Sequence, residues 1–285
     1  MNTFAENQER FVRESIPFHL AGRQNPLILL PVHVNDKGPY EFILDTGASH
    51  SLLSPELAEI LGVKPEIEKE AMGAGGPVKL GLAHVASIAV GATRQSNVQI
   101  AITDELKRIG KAIQHRIDGD LGFDFLKDFR LVIDYRACTL CFLPKLEIND
   151  DTCSATSIPF TLAAAQKPLI LVQAVVNDQG PFQFALDTGA SRTMLSPELA
   201  DRLAIEIVED SPGLGVGGQV KVLGGKVSLI ALGTAVARDH AVAVGEFLSM
   251  LSAALGAKLD GIIGYNFLNQ FQVTIDYPNR ILDLA

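Results

Sequence analysis

The stretch Asp45-Thr46-Gly47-Ala48-Ser49 occurs a second time, unchanged, as Asp187-Thr188-Gly189-Ala190-Ser191. The two copies are 142 residues apart in a chain of 285 residues. Each copy follows a short apolar run, 40–44 or 182–186, which predicts a strand that ends at the aspartate and turns sharply at the glycine. Two carboxylates held face to face at about 3 Å cannot both ionise, so they would share one proton and supply an acid and a base to a water molecule.

The same offset of 142 residues relates most of the first half of the chain to the second half. It pairs Ile16-Pro17-Phe18 with Ile158-Pro159-Phe160, Pro26-Leu27-Ile28 with Pro168-Leu169-Ile170, 53–58 with 195–200, and Ile133-Asp134-Tyr135 with Ile275-Asp276-Tyr277. No insertion or deletion is needed, which indicates that one unit has been duplicated. We predict lobes at 15–143 and 157–285, an N-terminal extension at 1–14 and a linker at 144–156, arranged like a homodimer fused into one chain.

The composition favours a globular protein that acts on neither nucleic acid nor membrane. A hydrophobic content of 47% with 20% charged residues is typical of a soluble domain, and a net charge of −9 does not suit a phosphate-binding surface. No segment has the apolar length of a signal core or a membrane span. The three cysteines, an odd number, fit a reducing compartment. We therefore expect a cytoplasmic protein, or a periplasmic or secreted one if a signal peptide has been removed.

Local patterns within each lobe predict mainly strands. Short apolar runs separated by turn residues indicate an all-β fold with a few short helices. Ser54 and Ser196, each followed by proline, have the properties of helix N-caps. Longer helical patterns at 104–116 and 245–259 are expected to pack on the outside of the lobes.

An Asp-Thr-Gly-Ala motif that follows an apolar strand and occurs twice resembles the aspartic proteases. The residues of the motif resemble the retropepsin-like branch more closely than the pepsin branch. The chain looks like a tandem-duplicated, single-chain member of bacterial type. The resemblance implies two pseudo-symmetric retropepsin-like lobes with a cleft between them. It also implies that Asp45 and Asp187 are the catalytic pair, with no metal and no organic cofactor.

The residues after each aspartate carry further expectations from this resemblance. Thr46 and Thr188 would hydrogen-bond to the backbone of the opposite loop and lock the lobes together. Gly47 and Gly189 would let the backbone approach the carboxylates closely. Pepsin-like proteins usually have a hydroxyl residue at the next position, which lowers the pKa of the ionised carboxylate. The alanines found there, Ala48 and Ala190, therefore predict activity at a milder pH than that of pepsin.

Two glycine clusters are the candidate substrate-binding flaps. They are Gly73-Ala74-Gly75-Gly76 and Gly215-Val216-Gly217-Gly218. A phosphate-binding loop is only weakly supported, because neither cluster precedes a helix with Lys-Ser or Lys-Thr. Both run into β-type residues instead, and they resemble the Gly-rich hairpins that close over an extended peptide in retroviral proteases.

A second motif late in each lobe resembles the segment that passes behind the catalytic loop in this family. It occurs as Asp118-Gly119-Asp120-Leu121-Gly122 and as Asp260-Gly261-Ile262-Ile263-Gly264. Asp120 stands where an apolar residue is expected. We expect its side chain to be solvated, the alternative being an additional titrating group near the site. Asp118 and Asp260 are expected to form turns.

The sequence thus predicts an aspartic endopeptidase that binds a peptide or protein substrate and is complete as a monomer. One alternative is a peptide-binding or scaffold protein that keeps the fold without turnover. Another is a protease restricted to one precursor or to its own chain. The natural substrate does not follow from the residues.

Overall fold

The computed structural model describes residues 14–143, 157–165 and 167–285. The predicted linker lies outside the described residues, as does the predicted N-terminal extension except for its last residue. No helix in the described part of the chain combines the length and the apolar character needed to cross a bilayer.

Strands dominate both lobes. The first lobe contains β1 (Ile16–Pro17), β2 (His19–Ala21), β3 (Leu27–Val34), β4 (Lys37–Leu44), β5 (Leu52–Leu53), α1 (Pro55–Leu61), β6 (Ile67–Gly73), β7 (Gly76–Val90), β8 (Thr93–Ile102), α2 (Glu105–Ile113), β9 (Gly119–Leu121), α3 (Phe123–Leu126), β10 (Arg130–Asp134) and β11 (Thr139–Leu143). The second contains β12 (Ile158–Pro159), β13 (Thr161–Ala164), β14 (Lys167–Val176), β15 (Gln179–Leu186), β16 (Met194–Leu195), α4 (Pro197–Arg202), β17 (Ile207–Gly215), β18 (Gly218–Leu232), β19 (Ala235–Gly245), α5 (Phe247–Leu255), β20 (Gly261–Ile263), α6 (Tyr265–Leu268), β21 (Gln272–Asp276) and β22 (Ile281–Leu284).

Each lobe is built on an eight-stranded sheet, and the two sheets have the same strand order. The order is β2-β3-β4-β9-β5-β8-β7-β6 in the first lobe and β13-β14-β15-β20-β16-β19-β18-β17 in the second. In both sheets the strand that precedes the aspartate lies beside a three-residue strand, β9 or β20, in parallel. The predicted all-β fold of two similar lobes is confirmed.

A third sheet joins the lobes. Its order is β1-β11-β10-β21-β22-β12, with β10 and β21 paired antiparallel at the centre. Leu131 of β10 lies opposite Ile275 of β21, and both side chains are fully buried. The largest hydrophobic cluster contains residues of both lobes, and a smaller cluster belongs to each lobe alone.

The helices begin where the sequence predicts. The Ser54 Oγ accepts a hydrogen bond from the Leu57 N–H at 3.1 Å, and Ser196 makes the equivalent bond in α4. The two longer helices pack on the outside of their lobes, as expected. Each presents an apolar face to the small cluster of its own lobe, where Leu106 of α2 and Leu248 of α5 are fully buried, and exposes the opposite face. Each helix also contacts a flap strand of the opposite lobe, β17 or β6, which the sequence did not predict.

Candidate active site

The two aspartates come directly after β4 and β15, and neighbouring strands fix their backbone. The Asp45 N–H donates to the Leu121 carbonyl at 3.1 Å, and the Asp187 N–H donates to the Ile263 carbonyl at 3.0 Å. Each aspartate is therefore the last residue held by the sheet of its lobe. The glycine that follows starts the turn which brings the carboxyl back against its own backbone.

Each carboxyl accepts hydrogen bonds from its own loop. Asp45 Oδ1 lies 2.7 Å from the Gly47 nitrogen and 3.2 Å from the Ala48 nitrogen. Asp187 Oδ1 lies 2.8 Å from the nitrogen of Gly189 and 3.1 Å from that of Ala190. These N–H groups orient the carboxyl planes and favour the ionised form.

The loops meet so closely that each glycine faces the opposite carboxyl. A Cβ added to Gly47 would lie 2.7 Å from Asp187 Oδ2, and one added to Gly189 would lie 2.7 Å from Asp45 Oδ2. The two carboxyl groups therefore converge on the same glycine, since the Gly47 N–H donates to Asp45 while its Cα faces Asp187. The structure thus brings the two copies of the motif together across the boundary between the lobes.

Burial changes the acidity of this pair. Removal from water raises the pKa of Asp45 above its usual value. The pKa of Asp187 is raised well above its usual value, first by burial and then by the negative charge of Asp45. Two such groups lose their protons in two steps that belong to the pair. The arrangement can hold one proton between two carboxyls, which is the chemical requirement for an acid and a base at one water.

Thr46 and Thr188 tie the two loops together, and both are almost completely buried. The Thr46 hydroxyl donates to the Leu186 carbonyl at 3.0 Å and accepts from the Thr188 N–H at 3.0 Å. The Thr188 hydroxyl donates to the Leu44 carbonyl at 2.8 Å and accepts from the Thr46 N–H at 3.1 Å. The closed set of bonds fixes the distance between the strand ends that carry the aspartates.

The glycine clusters form the tips of two hairpins, β6–β7 and β17–β18. Gly73 pairs with Gly76 in the first hairpin, and Gly215 pairs with Gly218 in the second. The tips touch, because the Gly75 N–H donates to the Val216 carbonyl at 2.7 Å.

The neighbouring residues of the tips also lie in the contact between the hairpins. A Cβ added to Gly215 would lie 2.9 Å from the Cβ of Ala74. The Gly217 N–H donates to Glu105 Oε2 of α2 at 2.8 Å. The tips of the two hairpins therefore hold each other, and the tip of β17–β18 is also held by α2 of the first lobe.

The expectation that Asp120 is solvated was wrong. Only 2% of its surface is exposed, because β9 lies inside the sheet between β4 and β5. Its pKa is raised well above the usual value, first by burial and then by the charge of Asp45. Asp118 and Asp260 are not turn residues either. Each is buried, and its carboxylate accepts a backbone N–H from the strand alongside.

A supporting pair behind each loop was not singled out from the sequence. In the first lobe the Ser51 hydroxyl donates to Asp124 Oδ1 at 2.6 Å and accepts from the Gly122 N–H. In the second lobe Thr193 occupies the equivalent position and its N–H donates to Asn266 Oδ1 at 2.7 Å. The 142-residue offset could have identified these supporting pairs, because both positions hold polar residues in both lobes.

One cluster in the described part of the chain has the spacing of metal ligands. It consists of His19, Glu41 and His115, whose ligand atoms lie within 4.8 Å of one another. The histidines approach Glu41 Oε2 at 3.4 and 3.9 Å. Glu41 precedes Asp45 by four residues on an extended strand, a distance of about 13 Å. The cluster is therefore separate from the paired aspartates.

Comparison with known proteins agrees with the duplicated architecture. The family model described as aspartyl protease matches residues 30–125 and 172–267, which together make up more than half of the chain. The two matched regions differ by the same 142 residues that separate the motifs. A search of curated proteins finds no relative with a significant match. The chain therefore belongs to the aspartyl protease family, as a tandem duplication of a retropepsin-like unit.

Proposed function

We propose that this protein is an aspartic endopeptidase whose catalytic residues are Asp45 and Asp187. The observation that carries the proposal is the meeting of the two loops. Each carboxyl is partly buried, accepts N–H bonds from its own loop and lies against the glycine of the other loop. A structural role alone does not require two partly buried carboxyls to face each other, because that arrangement raises the free energy of the folded state.

The reaction proceeds by direct attack of water. The ionised carboxyl of the pair takes a proton from water while the neutral carboxyl donates its proton to the carbonyl oxygen of the scissile amide. The new C–O bond gives a tetrahedral diol. As the C–N bond breaks, the proton taken from water passes to the amide nitrogen, and one hydroxyl of the diol returns its proton to the other carboxylate. The pair is then back in its starting state with one proton. No covalent bond to the enzyme is formed.

The substrate is an extended peptide bound beneath the two hairpins. The hairpins with tips at Gly75 and Gly217 place β6 and β17 at the edges of their sheets, and an edge strand suits pairing with a peptide in the β conformation. The contact between the tips must open for a chain to enter, and it closes again to exclude water. Both halves of the site come from one chain, so we propose that a monomer is active.

Cleavage of a diverse peptide library between about pH 3 and pH 8 tests this function, with a transition-state inhibitor of aspartic proteases as probe. Asp45→Asn and Asp187→Asn are expected to abolish cleavage, while the control Asp201→Asn changes an exposed carboxylate and retains it. Maximal cleavage below about pH 3 would contradict the prediction drawn from Ala48 and Ala190.

Two negative results have different meanings. A protein that binds the inhibitor but cleaves no library peptide is a protease restricted to one precursor or to itself. A protein that neither cleaves nor binds the inhibitor is a scaffold of the same fold, and this result would overturn the proposal.

A further inference from the structure

A third buried carboxyl adjoins the pair in the first lobe only. Asp120 is 2% exposed, and its Oδ1 is enclosed without a hydrogen-bond partner among the described residues. The equivalent position of the second lobe is Ile262, which packs in the small hydrophobic cluster of that lobe. The two aspartate loops are therefore alike, but the strand beside the first loop carries Asp120 and the strand beside the second carries Ile262.

The groups around Asp120 are apolar or acidic. It lies opposite Ile43 of β4 and Leu52 of β5, so its side chain shares a sheet face with theirs. Both belong to a small cluster to which β3, β8 and α2 contribute Leu29, Ala101 and Leu106.

The titratable groups that act on Asp120 are Asp45, Asp187 and Asp124. Asp124 already accepts hydrogen bonds from Ser51 and has His50 at 3.7 Å on its far side.

A carboxylate in this position would be a buried charge facing other carboxylates. Such a charge costs far more than a neutral carboxylic acid, which can remain protonated at neutral pH in an apolar site. A neutral carboxyl carries an O–H donor. Asp120 lies opposite Ile43, and Asp45 follows Ile43 by two residues, so the Asp120 side chain lies on the sheet face that leads to Asp45, the carboxyl with which it interacts. The proton of the enclosed Asp120 carboxyl can therefore be donated in a hydrogen bond to Asp45.

We propose that Asp120 is a positioning residue that stays neutral and donates a hydrogen bond to Asp45, which makes Asp45 the base of the pair and Asp187 the acid. The proposal rests on the proposed function. Asp45 then accepts three hydrogen bonds, from Gly47, Ala48 and Asp120, whereas Asp187 accepts two from its own loop. An additional donor favours the ionised form of the residue that accepts it.

The acidities agree with this assignment. Asp120 lowers the pKa of Asp45 and so opposes the effect of burial. The pKa of Asp187 is raised well above its usual value, and the second lobe offers an isoleucine where the first offers a donor. In this assignment the proton shared by the pair resides on Asp187, because the strand beside it carries Ile262 in place of a donor.

The first test is the pH dependence of kcat/KM in two variants. Asp120→Ile copies the second lobe and removes the donor, so the acid limb of the profile should move upward by about one to two pH units. Asp120→Asn keeps an N–H donor and should leave the limb within about half a unit of the wild-type protein. Ile262→Val is the control for a change of packing behind the other loop.

Either of two results overturns the proposal. A profile of Asp120→Ile that coincides with the wild-type profile means that no hydrogen bond reaches Asp45. A downward shift of the limb in both variants means that Asp120 is ionised and repels the pair. Thermal unfolding of each variant verifies that the protein measured is folded.

The second test needs no cleavage. Infrared spectroscopy at pH 7 should show that Asp120→Asn loses part of the absorption of protonated carboxyl groups, and an unchanged band would overturn the proposal. The pH titration of the remaining band reports the ionisation of the pair, and its midpoint should rise in Asp120→Ile but not in Asp120→Asn. If the wild-type protein neither cleaves a peptide nor binds the inhibitor, the proposed function fails while these spectra still decide the role of Asp120.

Discussion

The two threonines behind the aspartates make four hydrogen bonds across the boundary between the lobes, two with each other and two with the Leu186 and Leu44 carbonyls. Thr46→Val keeps the shape of the side chain but leaves the buried Thr188 N–H and Leu186 carbonyl without their partner. We expect the free energy of unfolding to fall by about 2–4 kcal/mol, because each orphaned group carries its desolvation cost.

Denaturant unfolding at pH 7 measures this loss. Thr46→Ser retains the hydroxyl and is the matched control, expected within about 1 kcal/mol of the wild-type protein. Equal stability of the valine and serine variants would show that these bonds contribute nothing to the joining of the lobes.

The buried pair also sets how stability depends on pH. Since burial raises the pKa of Asp187 in the folded state, the folded protein keeps a proton that the unfolded chain releases above about pH 4. The protonated Asp187 carboxyl makes its full contribution to the stability of the folded state below about pH 4. This contribution is lost as the pH rises through the raised pKa. Asp187→Asn removes this dependence, and we expect it to be more stable than the wild-type protein by about 1–3 kcal/mol at pH 7.

Melting temperatures from about pH 4 to pH 8 provide the check, with the exposed Asp201→Asn as control. The gain from Asp187→Asn should shrink toward pH 4, where the wild-type carboxyl is neutral as well. A gain that is independent of pH would mean that ionisation of the pair is not its cause.

At the scale of elements, the contact between α2 and the second hairpin includes a hydrogen bond that the equivalent contact of α5 with the first hairpin cannot make. Glu105 Oε2 accepts the Gly217 N–H at 2.8 Å, while the corresponding residue of the second lobe is Phe247. Glu105→Ala should free this tip. We expect hydrogen exchange at Gly217 to become about tenfold faster or more, and KM to rise several-fold, because the hairpin must then be ordered by the peptide itself.

Mass spectrometry of exchanged peptides that cover the tip distinguishes this role from general loosening. Arg108→Ala removes the ion pair that Arg108 makes with Glu105 but leaves the bond to Gly217, so it should retain most of the protection. Equal exchange in the wild-type protein and Glu105→Ala would show that the helix does not hold the hairpin.

Elements that repeat were predictable from the sequence, as was the bonding of Thr46 and Thr188 to the opposite loop, whereas contacts that differ between the lobes were not. The 142-residue offset and the local signals at Ser54 and Ser196 located strands, hairpins and helix starts. The burial of Asp120 escaped because β9 has three residues, too few for a periodic pattern to show which side chain faces inward. The contact of α2 with the second hairpin escaped because it depends on how the two lobes meet.

At the scale of the whole molecule, the lobes share one sheet and one large hydrophobic cluster. The shared sheet pairs β10 with β21 through five residues of each strand. Unfolding of one lobe would therefore also break the pairing of the strand that belongs to the other lobe. Aromatic side chains from both lobes also meet beside it, where the rings of Tyr135 and Tyr265 lie 5.5 Å apart edge to face. The shared sheet and these aromatic contacts form the seam between the lobes. Because the two aspartates come from different lobes, the geometry of the site depends on this seam.

We therefore expect the two lobes to unfold as one cooperative unit. Leu131→Ala at the seam removes a fully buried side chain opposite Ile275 and should lower the free energy of unfolding by about 2–5 kcal/mol without splitting the transition. Circular dichroism follows the sheets of both lobes, while tyrosine emission reports the seam in a chain that has no tryptophan. Ile60→Ala, at a residue 56% exposed, is the control and should change stability by less than about 0.5 kcal/mol. Coincident midpoints from both probes satisfy the two-state criterion, and separate midpoints would show that each lobe folds independently and that the seam merely docks them.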